Sequence, residues 1–165
     1  MPQLNKGGKY VFGLSIIGNQ NRIQIPTQAL TEYNITREGK IIIFTGAKVT
    51  GGFCVTNHTL LSNSKLKHIL DDCPALANFQ LQEGSFIQYK GRGYSWLTIS
   101  PSGVVQLPDH TMEYLNLSVG DTLMSIRSSN IAFTMGARGP LMDKVHSYVG
   151  TIPEYRIIDK EDNHV

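Results

Sequence analysis

The stretch Ile17–Ile35, IGNQNRIQIPTQALTEYNI, reappears without gaps as Ile99–Leu117, ISPSGVVQLPDHTMEYLNL, when the chain is shifted on itself by about 80 residues. The Gln-apolar-Pro step occurs as Gln24-Ile25-Pro26 and again as Gln106-Leu107-Pro108, and Asn34-Ile35 returns as Asn116-Leu117. The match runs outward in both directions. Lys6-Gly7-Gly8-Lys9-Tyr10 echoes Lys90-Gly91-Arg92-Gly93-Tyr94, and Ser64–Leu70 loosely parallels Met142–Tyr148. The repeated unit is thus nearly half the chain. Two copies are too few for a solenoid, so a closed, pseudo-symmetric pair is expected, with one unit in residues 1–83 and the other in residues 84–165.

Within each unit the apolar pattern changes period in the same order. Arg22-Ile23-Gln24-Ile25 and Val104-Val105-Gln106-Leu107 alternate, as a half-buried strand does. Pro26 and Pro108 cannot donate to a ladder and suit a first helical position, so a short helix is predicted after each. Its inward residues are Ala29, Leu30 and Tyr33 in the first unit, Met112 and Leu115 in the second. Asn34 and Asn116 fall where a left-handed terminating residue is wanted. Turns at Glu38-Gly39-Lys40 and Val119-Gly120-Asp121 open into Ile41–Phe44 and Thr122–Ile126. These runs reverse into Phe53-Cys54-Val55 and Ile131-Ala132-Phe133. Thr59–Asp72 and Pro140–Val149 each read as one closing helix. The fold class is therefore mainly β with short helices.

The string apolar-x-apolar-Pro, one-turn helix, apolar residue and Gly/Asp turn resembles the SpoVT/AbrB-like family. It is carried here by Gly18–Pro26, by Ser100–Pro108 and by Leu117-Ser118-Val119-Gly120-Asp121. Two such units in one chain, each followed by helical residues, are similar to the MraZ branch of that family. The resemblance implies a swapped-hairpin β-barrel in which two modules interleave strands. It also implies a DNA-binding transcription regulator. Arg22 falls on the family's Gly-Arg position, whereas Val104 replaces the arginine in the second unit. Leu30, Thr31, Met112 and Glu113 stand where many members carry basic residues.

The chain has 165 residues, 41% hydrophobic and 17% charged, with 16 glycines, a mix that excludes disorder, collagen-like repeats and coiled coil. No window approaches the roughly 18 apolar residues that span a bilayer, and Met1–Tyr10 lacks a signal-peptide core; a cytoplasmic protein with no membrane partner is expected. Cys54 and Cys73 read as buried thiols. The net charge of +2 is uneven, because residues 1–60 hold six basic against two acidic residues, a net +4. A polyanion would therefore meet the front half first.

Phosphate binding needs arrayed cations, and arginine can pair bidentately with guanine. The candidates are Arg22, Lys6, Lys9, Arg37, Lys40, Lys90 and Arg92. The Lys-Gly segments add glycines that allow close backbone approach and a tyrosine able to stack. Their alternative is an ordinary turn with solvated charges. Arg22 has an alternative in capping a strand or pairing with Glu32 or Glu38. His58, His68, His110, His146 and His164 show no metal-ligand spacing, and no nucleophile–base pair stands out. No enzyme, metal or cofactor is expected. His68 and His146 roughly correspond between the units and would meet across a pseudo-twofold axis. Gly136–Pro140 reads as a strand-to-helix connection, with an anion-binding nest as the alternative, and Trp96 as a core residue. The second functional reading is a non-enzymatic, self-associating or small-ligand-binding barrel that has lost DNA binding.

Overall fold

The computed structural model describes residues 2–4, 8–148 and 150–158. The chain is mainly β with short helices. Strand β1 (Val11–Ile16) leads through a 3-10 turn into β2 (Arg22–Gln24) and α1 (Thr27–Tyr33). The hairpin β3 (Lys40–Phe44) and β4 (Phe53–Thr56) follows, then α2 (His58–Ser62), α3 (His68–Asp72) and α4 (Pro74–Ala77). The second half runs β5 (Ile87–Tyr89), β6 (Arg92–Thr98), β7 (Val104–Gln106), α5 (Asp109–Leu115), β8 (Thr122–Arg127) and β9 (Phe133–Gly136). It ends in α6 (Pro140–Asp143), a 3-10 turn and β10 (Glu154–Tyr155).

Eight strands form one sheet in the order β10-β1-β8-β9-β4-β3-β6-β5, and β2 and β7 form a separate two-stranded ladder. The large sheet is open, with β10 and β5 at its edges, so neither sheet closes into a barrel. Its pairing crosses between the halves. β1 pairs antiparallel with β8, Ile16 opposite Thr122 and Ser15 opposite Leu123. β6 pairs antiparallel with β3, Thr98 opposite Lys40 and Leu97 opposite Ile41. These two registers coincide when one half is shifted onto the other.

Period-two alternation sorts the side chains. Ile41 and Ile43 enter one core, and Ile42 and Phe44 enter another across the sheet. The larger core lies between the sheet and the layer made by β2, β7, α1 and α5. Phe12, Tyr33 and Phe133 meet there, with the Tyr33 and Phe133 ring centroids 5.1 Å apart. The outer face carries two smaller cores. One lies under α2–α4, and the other under Leu141, Met142, Val145 and Ile152. Where β4 passes β9, Gly52 takes a φ of 65°, and a Cβ there would stand 1.9 Å from the Met135 carbonyl oxygen.

Both Pro-helix steps form, with the proline one residue earlier than expected. Pro26 and Pro108 are extended (ψ 138° and 154°) and precede the first helical residue. Their carbonyls accept from the amides of Ala29 and Leu30, and of Thr111 and Met112. Asn34 and Asn116 are left-handed, at φ 50° and 55°. The following amides, Ile35 and Leu117, bond back to the carbonyls of Leu30 and Met112, so the helices end alike.

The closing helices differ from expectation. Thr59–Asp72 is two short helices, because Ser64 bonds locally to the Leu61 carbonyl and the Leu66 amide and interrupts the helical ladder. Pro140–Val149 is helical only to Asp143 and continues as a 3-10 turn over Val145–Ser147, with Val149 outside the described residues. The second hairpin's returning strand starts at Phe133 rather than Ile131.

Candidate nucleic-acid interface

Arg22 opens β2, opposite Gln106. It is held by the 3-10 turn Asn19–Asn21, in which Gln20 and Asn21 have positive φ, and its Nε donates to the Asn19 carbonyl at 3.1 Å. The Gln106 amide donates to the Gln20 carbonyl at 3.0 Å, and the Asn21 amide to the Leu107 carbonyl at 3.0 Å and the Asp109 carboxylate at 2.8 Å. These residues line a cleft of about 690 Å³ with Ser100, Thr98 and Glu83. One Glu83 carboxylate oxygen accepts from the Thr98 amide at 2.8 Å. The cleft thus joins one guanidinium to two carboxylates, each bonded to a donor of the protein, and to amide and hydroxyl side chains. The carboxylates were not among the sequence candidates. Asp109 is the first residue of α5, and Glu83 comes from the connection between the halves, two segments that local spacing cannot place beside Arg22.

Glu32 and Glu38 have other engagements. Arg127 of β8 holds the Glu32 carboxylate through two nitrogens, one bond being 2.7 Å, while Glu38 accepts from the Thr59 amide at 3.2 Å and its hydroxyl at 2.9 Å. The Arg127 guanidinium also lies 5.0 Å from the Tyr10 ring centroid. Hydrogen bonding to Glu32 raises its already high pKa. This tie between α1 and the far end of β8 is invisible to local spacing.

The remaining cations occupy different parts of the surface. Arg37 is exposed in the turn that follows α1. Lys40 begins β3, with Nζ 4.8 Å from the Phe79 ring centroid and 5.9 Å from that of Trp96. Trp96 is half-buried on the outer face rather than in the core, and its indole N–H donates to the Leu81 carbonyl at 2.8 Å. Lys90 caps the β5–β6 hairpin and lies 5.4 Å from the Tyr89 ring centroid. Arg92 opens β6, with its guanidinium 5.6 Å from the Phe44 ring centroid. At about 3.3 Å per residue, β3 separates the Lys40 and Phe44 positions by about 13 Å. Lys9 and Arg92, from opposite halves, line one cavity on the outer face. Lys6 lies outside the described residues, as does the side chain of His146. Arg138, in the Gly136–Pro140 connection, donates from its guanidinium to the Lys48 backbone carbonyl at 2.8 Å.

Cys54 and Cys73 are buried free thiols. Burial pushes both up from the ordinary thiol range, with Thr134, Arg92 and Lys9 opposing it at Cys54. Gly139, at φ 112°, joins β9 to the four-residue α6, with Pro140 at its start. Among the described residues, no group of three or more His, Cys, Asp or Glu gathers as a metal site, and no helix is long and apolar enough to cross a membrane. Comparison with protein-family models and with curated proteins finds no match for this chain.

Proposed function

We propose that the chain is a DNA-binding transcription regulator of the SpoVT/AbrB-like type, built from two duplicated modules that exchange strands within one polypeptide. The observation that carries this reading is the reciprocal ladder: β1 on β8 and β6 on β3, in matching registers, about the central β2–β7 pair. It supports the strand exchange that the sequence resemblance implies, although neither sheet closes. It also gives a physical reason for having two modules, since either alone would expose apolar strand faces and open edges.

The exposed cations Lys9, Arg37, Lys40, Lys90 and Arg92 make the phosphate contacts in this reading, and Lys6 joins them from the segment before β1. Arg22 acts within its cleft, where the Gln20 amide and the second N–H of the Gln106 amide are donors and the amide oxygens are acceptors for base edges, both Asn21 donors being held by Leu107 and Asp109. Glu83 and Asp109 would repel phosphates that come deep into the cleft, so backbone contact falls mainly to the cations outside it. Fluorescence anisotropy with duplex DNA, titrated with salt, tests the reading. A steep linear fall of log affinity with log salt supports it, and no binding even at about 50 mM salt overturns it.

A further inference from the structure

The outer face of the eight-stranded sheet is covered from one side by α2–α4 and from the other by α6 and the segment beyond it. Between the two covers, over the middle strands, lies a cavity of about 460 Å³. Its floor is apolar, made by Phe44, Cys54, Ile126 and Ala132, and Leu66 and Leu141 approach from either cover. Lys9 and Arg92, both exposed, line it as well, and among the described residues no Asp or Glu lines it. The lining hydroxyls are already engaged: Thr134 bonds to Ser128 and to the Cys54 thiol, and Ser129 accepts from the Ile131 amide. What the cavity presents is therefore an apolar floor and two positive charges, that of Arg92 lying over the Phe44 ring.

We propose that this cavity binds a small organic anion with an apolar body, of the medium-chain carboxylate type. The volume lies within the range of small-molecule sites, and an apolar body covers the floor while the carboxylate meets Lys9 or Arg92. Charge sets the sign of the ligand, because the described lining residues provide two cations and no carboxylate. A phosphodiester backbone has no apolar body to occupy such a floor, so DNA would meet Lys9 and Arg92 by charge alone, and an anion seated here would compete with phosphate for those two side chains. Burial keeps the Cys54 thiol protonated near neutral pH, so it does not cancel the positive charge.

The test is isothermal titration of the full chain with octanoate, and with octanamide as a neutral counterpart, in the absence of DNA. Octanoate should bind at least tenfold more tightly than octanamide. Lys9→Gln and Arg92→Gln should each weaken octanoate severalfold and together remove the preference for the anion. Alkylation of Cys54, followed by peptide mapping, should slow with octanoate present while that of Cys73 does not. Both substituted side chains are exposed, and thermal melts confirm folding; either variant alone suffices if the other fails to fold. Equal binding of the two probes, no octanoate binding at millimolar concentration, or unchanged affinity in a folded variant overturns the proposal. None of these outcomes bears on whether duplex DNA is bound.

Discussion

Ile23 and Val105 stand opposite each other at the middle of the β2–β7 ladder, both buried, and they hold the same place in the two copies of the repeated sequence. Both belong to the same large core, to which the two halves contribute together. Ile23→Ala should cost about 2–4 kcal/mol and Val105→Ala about 2 kcal/mol, because the layer between the sheet and the ladder has little freedom to collapse around the void. The two losses should not add when combined, since the residues touch. Urea unfolding of the single and double variants measures both.

Asn34 and Asn116 end their helices in the left-handed region, at φ 50° and 55°. Glycine at either place should be tolerated or slightly stabilising. Valine should cost about 1–2 kcal/mol, because a β-branched side chain is strained there. Similar losses at the two positions, read from thermal melts, would show that both terminations carry the same weight.

The Tyr33 phenol is buried against Phe12 and Phe133 and donates to the Ser129 carbonyl at 2.7 Å. Burial, with help from the nearby Glu32 carboxylate, pushes its pKa up to about 12 from the ordinary 10.0. In the unfolded chain the phenol ionises first, so between pH 10 and about 12 the folded state holds the extra proton. Stability should fall as pH rises through that window, by roughly 2 kcal/mol from this group. Comparing denaturation of the protein and of Tyr33→Phe from pH 9 to 12 isolates the contribution, which should be absent in the variant.

Arg22→Ala should weaken duplex binding about tenfold and relax its sequence preference, with the salt dependence and the melting temperature nearly unchanged. A large loss of stability with unaltered affinity would instead make Arg22 a brace for the turn Asn19–Asn21, whose Asn19 carbonyl it bonds.

What the sequence showed was local. The strands at Arg22–Gln24 and Val104–Gln106, the helices after Pro26 and Pro108, and the asparagine terminations all follow from short-range patterns that the structure reproduces. What it hid depends on distant chain segments. Thr111, which the helical pattern did not place inward, is fully buried because its hydroxyl bonds to the Gly84 carbonyl at 2.7 Å, from the connection between the halves. The breaks after Ser62 and Asp143 arise where serine and turn chemistry compete with weak helical propensity. The candidate site was legible only as residue types. The carboxylates that join Arg22, and the convergence of Lys9 with Arg92, are set by tertiary pairing rather than by spacing.

The crossed ladders also give the segment from Asn78 to Phe86 a role beyond joining two halves. Because β1 lies between two strands of the second half and β6 pairs on one side with β3 of the first, this connection acts as a tether: it keeps each half in the presence of its complement at an effective concentration of about millimolar. Severed there, the polypeptide becomes a pair of fragments whose reunion depends on dilution. Two intact copies trading halves would form an intertwined dimer with the same ladders, so the length of this tether governs the choice between one chain and two.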